Sequence, residues 1–408
     1  MREDSDLTHL FNRNDKSAYR FFTSFILLTL FLTAVNFANL WVYWFLLSFV
    51  LFFFTPNRKL RFDISTAILL IFAIAMFPLN GDKSIGLSEI VQPFSYVCAY
   101  VMGSSFISRC KSKDGYDKVM QLIVYVFSFG FLLHYFLNFV VNISITERNT
   151  IDFWTGKTLS ATCQAALACM SVGVVSALFF SNTSRKSKVL AVLCVLVIIL
   201  YNLVLAGRTL LFMMVIMMLL AYGYRCTQYK QSVGNGIYLL ALLGLALLIY
   251  NNDIIGINRI FEGSNFYNRF FGDAWQGLLD DGRLDLKFKY LKYLWDYPFG
   301  GERIRAIVGN YAHDLYLDTY DQYGVFAFLS ICVYMVLSLV RMYRFLRFSN
   351  VSFEIKQIAF CVSVALNIQF WLEPIIQGVP FLLIAYCMVD GVVSAVLENN
   401  STLEVVNE

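Results

Sequence analysis

Long apolar runs separated by short polar links make up most of this 408-residue chain. A helix needs about 20 mainly apolar residues to cross a bilayer, with a range of about 17–25. On this criterion the sequence predicts an all-α polytopic membrane protein with about 12 transmembrane helices. The predicted spans are residues 20–38, 39–55, 64–79, 91–108, 118–141, 158–181, 189–206, 209–224, 236–250, 325–347, 357–372 and 375–397.

Composition supports a membrane protein. Hydrophobic residues make up 58% of the chain and charged residues only 15%, with a mean hydropathy of +0.62. These values exclude an ordinary soluble globular protein. The first twenty residues are polar and carry several charges, so no cleavable signal peptide is expected.

The distribution of Lys and Arg predicts which side of the membrane each link faces, because cytoplasmic links are enriched in these residues. With the spans above, twenty of the 32 cations lie in or beside alternate links, and twelve lie on the other side. Both termini are therefore predicted to be cytoplasmic. The predicted parts are a cytoplasmic arm (1–19), transmembrane helices 1–9 (20–250), a large outer loop (251–324), helices 10–12 (325–397) and a disordered cytoplasmic tail (398–408).

The large predicted outer loop, residues 251–324, concentrates the polar residues of the chain. It holds eight Lys/Arg and eleven Asp/Glu, so it is no general basic patch and no nucleic-acid partner is expected. The nine cysteines show no metal-ligand spacing, and none lies in this loop. We therefore expect no metal site, and we look for chemistry among the loop's Arg, His and Asp residues.

One arginine lies at the tip of a predicted helical hairpin. Residues 189–222 are apolar except for Asn202 and the tip Gly207-Arg208-Thr209, so two helices should meet at the outer surface. A cation at membrane depth is costly unless an anion compensates it. Arg208 therefore either extends to lipid headgroups or binds a phosphate, to which guanidinium offers a bidentate fork.

An amphipathic helix is predicted to open at Asp281-Gly282-Arg283. Asp281 can cap its start, and Pro298 lies beyond its end. Arg283 thus falls in the first turn, where backbone N–H groups favour an anion, although pairing with Asp280 or Asp281 is an equal alternative. The apolar positions are Leu284, Phe288, Leu291 and Trp295, and the charged positions on a neighbouring face are Asp285, Lys289, Lys292 and Asp296.

His313 is the only histidine in the predicted outer loop, since His9 lies in the N-terminal arm and His134 within a span. An imidazole can accept a proton from a sugar hydroxyl near neutral pH. His313 is therefore a candidate catalytic base, and a surface or packing role is the alternative.

Three aspartates follow this histidine at helical spacing: Asp314, Asp318 and Asp321. They could orient the imidazole ring, bind sugar hydroxyls or form a solvated helix face. Paired carboxylates can hold a metal ion, but this spacing is too general to predict one.

Taken together, these motifs resemble the bacterial O-antigen polymerase and O-antigen ligase superfamily. The resemblance covers about Thr158 to the end of the chain, and the N-terminal third is similar only in consisting of spans. The motifs are Ala206-Gly207-Arg208-Thr209, Gly282-Arg283, Tyr297-Pro298-Phe299-Gly300-Gly301, Ala312-His313-Asp314-Leu315-Tyr316-Leu317 and Tyr323-Gly324.

The resemblance implies a glycosyltransferase class C fold in the bacterial inner membrane, with the active site facing the periplasm. The implied donor is an oligosaccharide on undecaprenyl pyrophosphate. Arg208 and Arg283 would hold the pyrophosphate, and His313 would lie at the acceptor hydroxyl. One departure is Asp314, because an asparagine often follows the family histidine.

The expected activity is that of an inverting O-antigen polymerase, whose acceptor is another lipid-linked repeat unit. The first alternative is an O-antigen ligase acting on lipid A core, and the second is a flippase for the same lipid. No cofactor is expected, because the lipid pyrophosphate already activates the sugar. The expected partners are the lipid-linked oligosaccharides, the lipid bilayer and a chain-length regulator protein.

Overall fold

The structure is a computed structural model that describes residues 13–55, 60–77, 87–107, 110, 112–143, 149–181, 185–205, 207–227 and 283–407. Within these residues the chain is a helical membrane protein. Seven of the described helices are long and apolar enough to cross a bilayer: Ser88–Ile107, Lys113–Asn142, Ala161–Phe180, Thr209–Cys226, Val325–Arg347, Phe353–Leu372 and Phe381–Asn399. The predicted span 236–250 lies outside the described residues, so the count of twelve stays a prediction.

Helices are numbered here in chain order among the described residues. They are α1 (Arg13–Val35), α2 (Trp41–Phe54), α3 (Ile64–Ala75), α4 (Leu87–Ile107), α5 (Lys113–Asn142), α6 (Ala161–Phe180), α7 (Arg185–Leu205), α8 (Arg208–Cys226), α9 (Arg283–Tyr293), α10 (Arg303–Val308), α11 (Leu315–Tyr323), α12 (Val325–Arg347), α13 (Phe353–Leu372), α14 (Ile375–Gly378) and α15 (Phe381–Asn407). A short 3₁₀ helix, Phe37–Asn39, links α1 to α2.

The end of the chain differs from the prediction in two ways. The predicted span 375–397 is divided into α14 and α15, with Pro380 directly before the second helix. Proline has no backbone N–H to donate and is favoured near the start of a helix. Since α15 continues to Asn407, the segment expected to be a disordered tail is helical.

The expectation of an all-α fold needs one correction, because a small antiparallel hairpin precedes α6. Strand β1 (Asn149–Ile151) pairs with β2 (Thr158–Ser160), with Thr150 opposite Leu159. Within the turn, Asp152 Oδ1 accepts hydrogen bonds from the backbone N–H of Trp154 at 3.1 Å and of Thr155 at 2.9 Å. Each strand has only three residues, which is too few for an alternation of apolar and polar positions to be recognised in the sequence.

The chain forms two compact units. Unit 1 comprises residues 1–130, 323–351 and 380–408. Its helices α4 and α15 are in backbone contact, because a Cβ at Gly103 would overlap the carbonyl of Met388, and one at Gly391 would overlap the carbonyl of Tyr100. Glycine at these two positions therefore sets how closely the two helices approach.

A buried ion pair lies within unit 1. Arg341 Nε donates to Asp390 Oδ1 at 3.1 Å, a second bond joins Nη2 to Oδ2, and Nη1 contacts the hydroxyl of Ser65. The guanidinium also lies 5.6 Å from the ring centre of Tyr100. The pair joins two candidate spans, α12 and α15.

Unit 2 comprises residues 131–322 and 352–379. Two antiparallel helix pairs organise it, α6 with α13 and α8 with α13. In the first pair, Gln369 Nε2 lies 3.5 Å from Thr162 O, and a Cβ at Gly173 would lie 2.9 Å from Cys361 O. In the second, Gln357 Nε2 donates to Ala221 O at 2.8 Å, and the rings of Tyr224 and Phe353 stack with their centres 5.0 Å apart. The start of α6, the start of α8 and the end of α13 consequently lie at one end, called here the polar end of unit 2.

Candidate functional site

The predicted amphipathic helix is present as α9, which comprises Arg283–Tyr293. Its buried residue Tyr290 donates from its hydroxyl to Asn310 O at 2.7 Å, which joins the helix to the segment that carries His313. The predicted cap by Asp281, and the alternative pairing of Arg283 with Asp280 or Asp281, lie outside the described residues.

Two cations of α9 bind the last carbonyls of α13. Arg283 Nη1 donates to Leu372 O at 3.2 Å, and Lys287 Nζ donates to Trp371 O at 2.6 Å. The C-terminus of a helix leaves carbonyl oxygens without intrahelical partners and carries partial negative charge, so cations are favoured there. These two bonds fix α9 at the polar end of unit 2.

Two buried carboxylates complete this arrangement. Glu373 Oε1 lies 3.6 Å from Arg283 Nη1, and Asp314 Oδ2 lies 3.1 Å from Lys287 Nζ. The two carboxylate side chains are only 2% and 1% exposed, so each needs a cation beside it. Arg283, Lys287, Asp314 and Glu373 are called here the charged cluster.

His313 lies directly before the charged cluster's Asp314, in a left-handed backbone conformation with φ of 58°. The turn is held by Asp318, which accepts hydrogen bonds from the backbone N–H of Ala312 at 2.9 Å and of Asp314 at 3.1 Å. His313 is half-buried, and its ring centre lies 6.4 Å from that of Tyr311. His313 thus lies on a turn whose backbone conformation is fixed by the two hydrogen bonds to the Asp318 carboxylate.

The three aspartates are buried, so the interpretation as a solvated face is wrong. Asp314 Oδ1 accepts from Leu317 N at 2.7 Å and caps α11, in addition to its contact with Lys287. Asp321 Oδ1 accepts from the backbone N–H of Ile304 at 3.0 Å and caps α10. Their predicted roles toward the histidine ring or a sugar stay predictions.

Burial raises the pKa of all three carboxyl groups. For Asp318, burial and the neighbouring charge of Asp314 raise the pKa to about 7, although the N–H groups of Ala312 and Asp314 oppose the shift. For Asp314, the charge of Lys287 opposes the effect of burial. Of the three, Asp318 is therefore the one placed to titrate near neutral pH.

We expect the Asp318→Asn variant to remove a pH dependence of stability. The pKa of Asp318 is raised on folding from 3.8 to about 7, so the folded state binds the proton more tightly than the unfolded state. The resulting contribution to the free energy of unfolding is full below about pH 4 and is lost as the pH rises to about 7. The melting temperature of the wild type should fall relative to the variant across this window and then level off. Thermal unfolding in detergent measures the difference, and a difference that does not change with pH would contradict the assignment.

Arg208 is the first residue of α8, and α7 ends at Leu205, so the predicted helical hairpin is present. Asn202 holds the turn, since its Nδ2 donates to Gly207 O at 2.9 Å and its backbone carbonyl accepts from Gly207 N at 3.3 Å. Because α8 runs antiparallel to α13, the backbone of Arg208 lies at the polar end, toward the end of α13 that holds the charged cluster.

A buried polar network that the sequence analysis did not single out lies at the same end. His134 Nε2 and Asp152 Oδ2 are 2.8 Å apart, and Asn138 Nδ2 donates to Gln164 Oε1 at 3.0 Å. Burial raises the pKa of Asp152, but the bond and charge of His134 outweigh it and lower the pKa to about 2. The available signal was the recurrence of His134, Asn138 and Asn142 at helical spacing within an apolar span.

Lys287 and Glu373 also were not among the residues predicted from the sequence. Glu373 is one of two charged residues between positions 357 and 397, which is a usable signal, because an isolated carboxylate beside a span requires a partner. Lys287 is one of four Lys/Arg in α9, and nothing in its spacing marks it as the one that faces inward.

No protein-family model matches this chain, and no curated protein sequence matches it. The fold therefore defines the class of protein only as a helical membrane protein, and the polar end of unit 2 is its candidate site. Among the residues described, no three His, Cys, Asp or Glu side chains are grouped as a metal site.

Proposed function

We propose that this chain is a membrane-embedded glycosyltransferase that extends a bacterial surface polysaccharide. The donor is an oligosaccharide on undecaprenyl pyrophosphate, and the acceptor is a hydroxyl of another lipid-linked repeat unit. The observation that carries the proposal is the contact between the segments that bear Arg283 and His313 at the end of α13, through the Tyr290–Asn310 hydrogen bond and the Lys287–Asp314 ion pair. Helix α8, whose first residue is Arg208, packs against the same helix α13.

The proposed reaction is an inverting substitution at the anomeric carbon. The acceptor oxygen attacks C1 while the C1–O bond to the pyrophosphate breaks, and the acceptor proton passes to His313. Arg208 and Arg283 stabilise the charge that develops on the leaving pyrophosphate, an effect worth about 3–4 kcal/mol per well-placed donor. Lys287, one helical turn after Arg283, adds another cation beside it.

The charged cluster gives Arg283 a defined position before any ligand binds. Both of its described contacts, with Leu372 O and with Glu373, are made by Nη1, and the side chain is 23% exposed. A guanidinium held at one nitrogen and partly exposed is suited to bidentate recognition of phosphate oxygens. A lysine could not reproduce both functions, because it is a single point charge.

A second candidate, a flippase for the same lipid, is favoured by one observation. The Arg341–Asp390 pair is an ionisable pair inside two candidate spans, and such pairs mark transport pathways in many membrane proteins. Ligation to lipid A core shares the donor chemistry of the polymerase, and it differs only in the acceptor.

The size pattern of surface polysaccharide in a deletion strain tests the proposal. A polymerase predicts a single repeat unit on the lipid A core, whereas a ligase predicts long chains left on the carrier. A flippase predicts a core without any repeat. Complementation with Arg283→Lys should leave the deletion pattern unchanged, because the bidentate geometry is lost.

The matched control is Lys289→Ala, since Lys289 is an exposed cation on the same helix. This variant should restore full chain length. Full chain length with Arg283→Lys as well would assign that arginine a purely structural role.

A further inference from the structure

Helix α9 presents three chemically different stripes. At about 100° per residue, the apolar stripe is centred about 100° around the helix axis from the inward stripe on one side and from the charged stripe on the other. The inward stripe contacts unit 2, and the two remaining stripes are exposed, one apolar and one charged. The inward residues are Arg283, Lys287 and Tyr290, the apolar residues are Leu284, Phe288 and Leu291, and the charged residues are Asp285, Lys289 and Lys292. Leu294 and Trp295, in the turn directly after α9, continue the inward and apolar stripes.

The apolar stripe is exposed along its whole length. Leu284 and Trp295 are each 72% exposed, Phe288 is 67% exposed and Leu291 is 49% exposed. The spacing of these residues had predicted an amphipathic helix, in which such a stripe ordinarily faces the core. Here the polar groups of Arg283 and Lys287 face the protein instead.

The depth of α9 follows from its attachment. Its two cations bind the carbonyls of Trp371 and Leu372, in the last turn of α13, and α13 is a candidate membrane span. The last turn of a span lies at the boundary between hydrocarbon and headgroups. Trp371 is 59% exposed there, as is common for tryptophan at this boundary.

We propose that α9 is an interfacial helix whose apolar stripe inserts into the bilayer at the boundary of headgroups and acyl chains. The three stripes then face three media, with the inward stripe on unit 2, the apolar stripe in lipid and the charged stripe in water. Lys289 and Lys292 border the apolar stripe and favour anionic headgroups. This inference is independent of the sugar-transfer proposal.

Photo-crosslinking in proteoliposomes tests the inference. The full chain carries a benzophenone amino acid in place of Phe288 or, as the matched control, in place of the adjacent Lys289. The vesicles contain phosphatidylethanolamine and phosphatidylglycerol. Mass spectrometry should find phospholipid adducts at position 288 in at least severalfold excess over position 289, because only the first side chain reaches acyl chains.

A second pair of positions, Trp295 and Lys292, shows whether the result at position 288 comes from a local folding defect. The same excess of phospholipid adducts is expected at position 295 over position 292. Equal yields within either pair would overturn the inference. So would crosslinks from position 288 or 295 mainly to another part of this chain or to a second copy.

Discussion

Replacing His313 should lower the rate of sugar transfer by about 10²–10⁴-fold, the usual contribution of a positioned general base. The imidazole is the group proposed to accept the acceptor proton, and no other histidine lies in the predicted outer loop. The measurement is the initial rate of oligosaccharide transfer from a lipid-linked donor, with purified protein in proteoliposomes.

The left-handed backbone at His313 makes the choice of variant important. With φ at 58°, alanine is strained there by about 1–2 kcal/mol, whereas glycine and asparagine adopt this conformation readily. His313→Ala, His313→Gly and His313→Asn should all lose activity, because all three lack the imidazole. Activity retained by the glycine and asparagine variants would show that only the turn matters. Arg303→Ala, an exposed change on α10, is the control that should leave the rate unchanged.

The Asp390→Ala variant should destabilise the protein by about 3–5 kcal/mol, since it leaves Arg341 buried without its carboxylate. The Arg341→Met, Asp390→Leu double variant should lose far less stability than Asp390→Ala, because neither charge then remains in a low-dielectric site. Unfolding in denaturing detergent, followed by helical circular dichroism, measures both.

An exposed ion pair provides the matched control for this comparison. Lys118 and Asp114 lie one turn from each other on α5, with Lys118 Nζ 2.6 Å from Asp114 Oδ2. Their side chains are 72% and 74% exposed. Asp114→Ala should therefore cost only a few tenths of a kcal/mol. A similar small cost for Asp390→Ala would contradict the view that its partner is isolated from water.

The sequence predicted the helices well where one local pattern sufficed. The apolar runs indicated the described spans, and the period of Leu284, Phe288 and Leu291 indicated helix α9. The same period could not tell which stripe of α9 faces inward. That depends on the carbonyls at the end of α13, more than eighty residues further along the chain.

The residue types of the candidate site could be predicted from the sequence, but the contacts between pairs of these residues could not. Arg283 and His313 stand out by chemistry, whereas the partner of Arg283 is Glu373, ninety residues away. The spacing of Asp314, Asp318 and Asp321 was visible, but their burial depends on how α10 and α11 pack. The Arg341–Asp390 pair joins helices that are far apart in sequence, so neither residue signals the other.

The close contact at Gly173 has a consequence for how the protein responds to membrane thickness. Backbone contact between α6 and α13 leaves no side-chain layer in which one helix could slide along the other. Helix α13 has 20 residues and is about 30 Å long, close to the thickness of the hydrocarbon layer. A thicker or thinner bilayer must therefore be accommodated by tilting both helices together or by deforming the lipid around them.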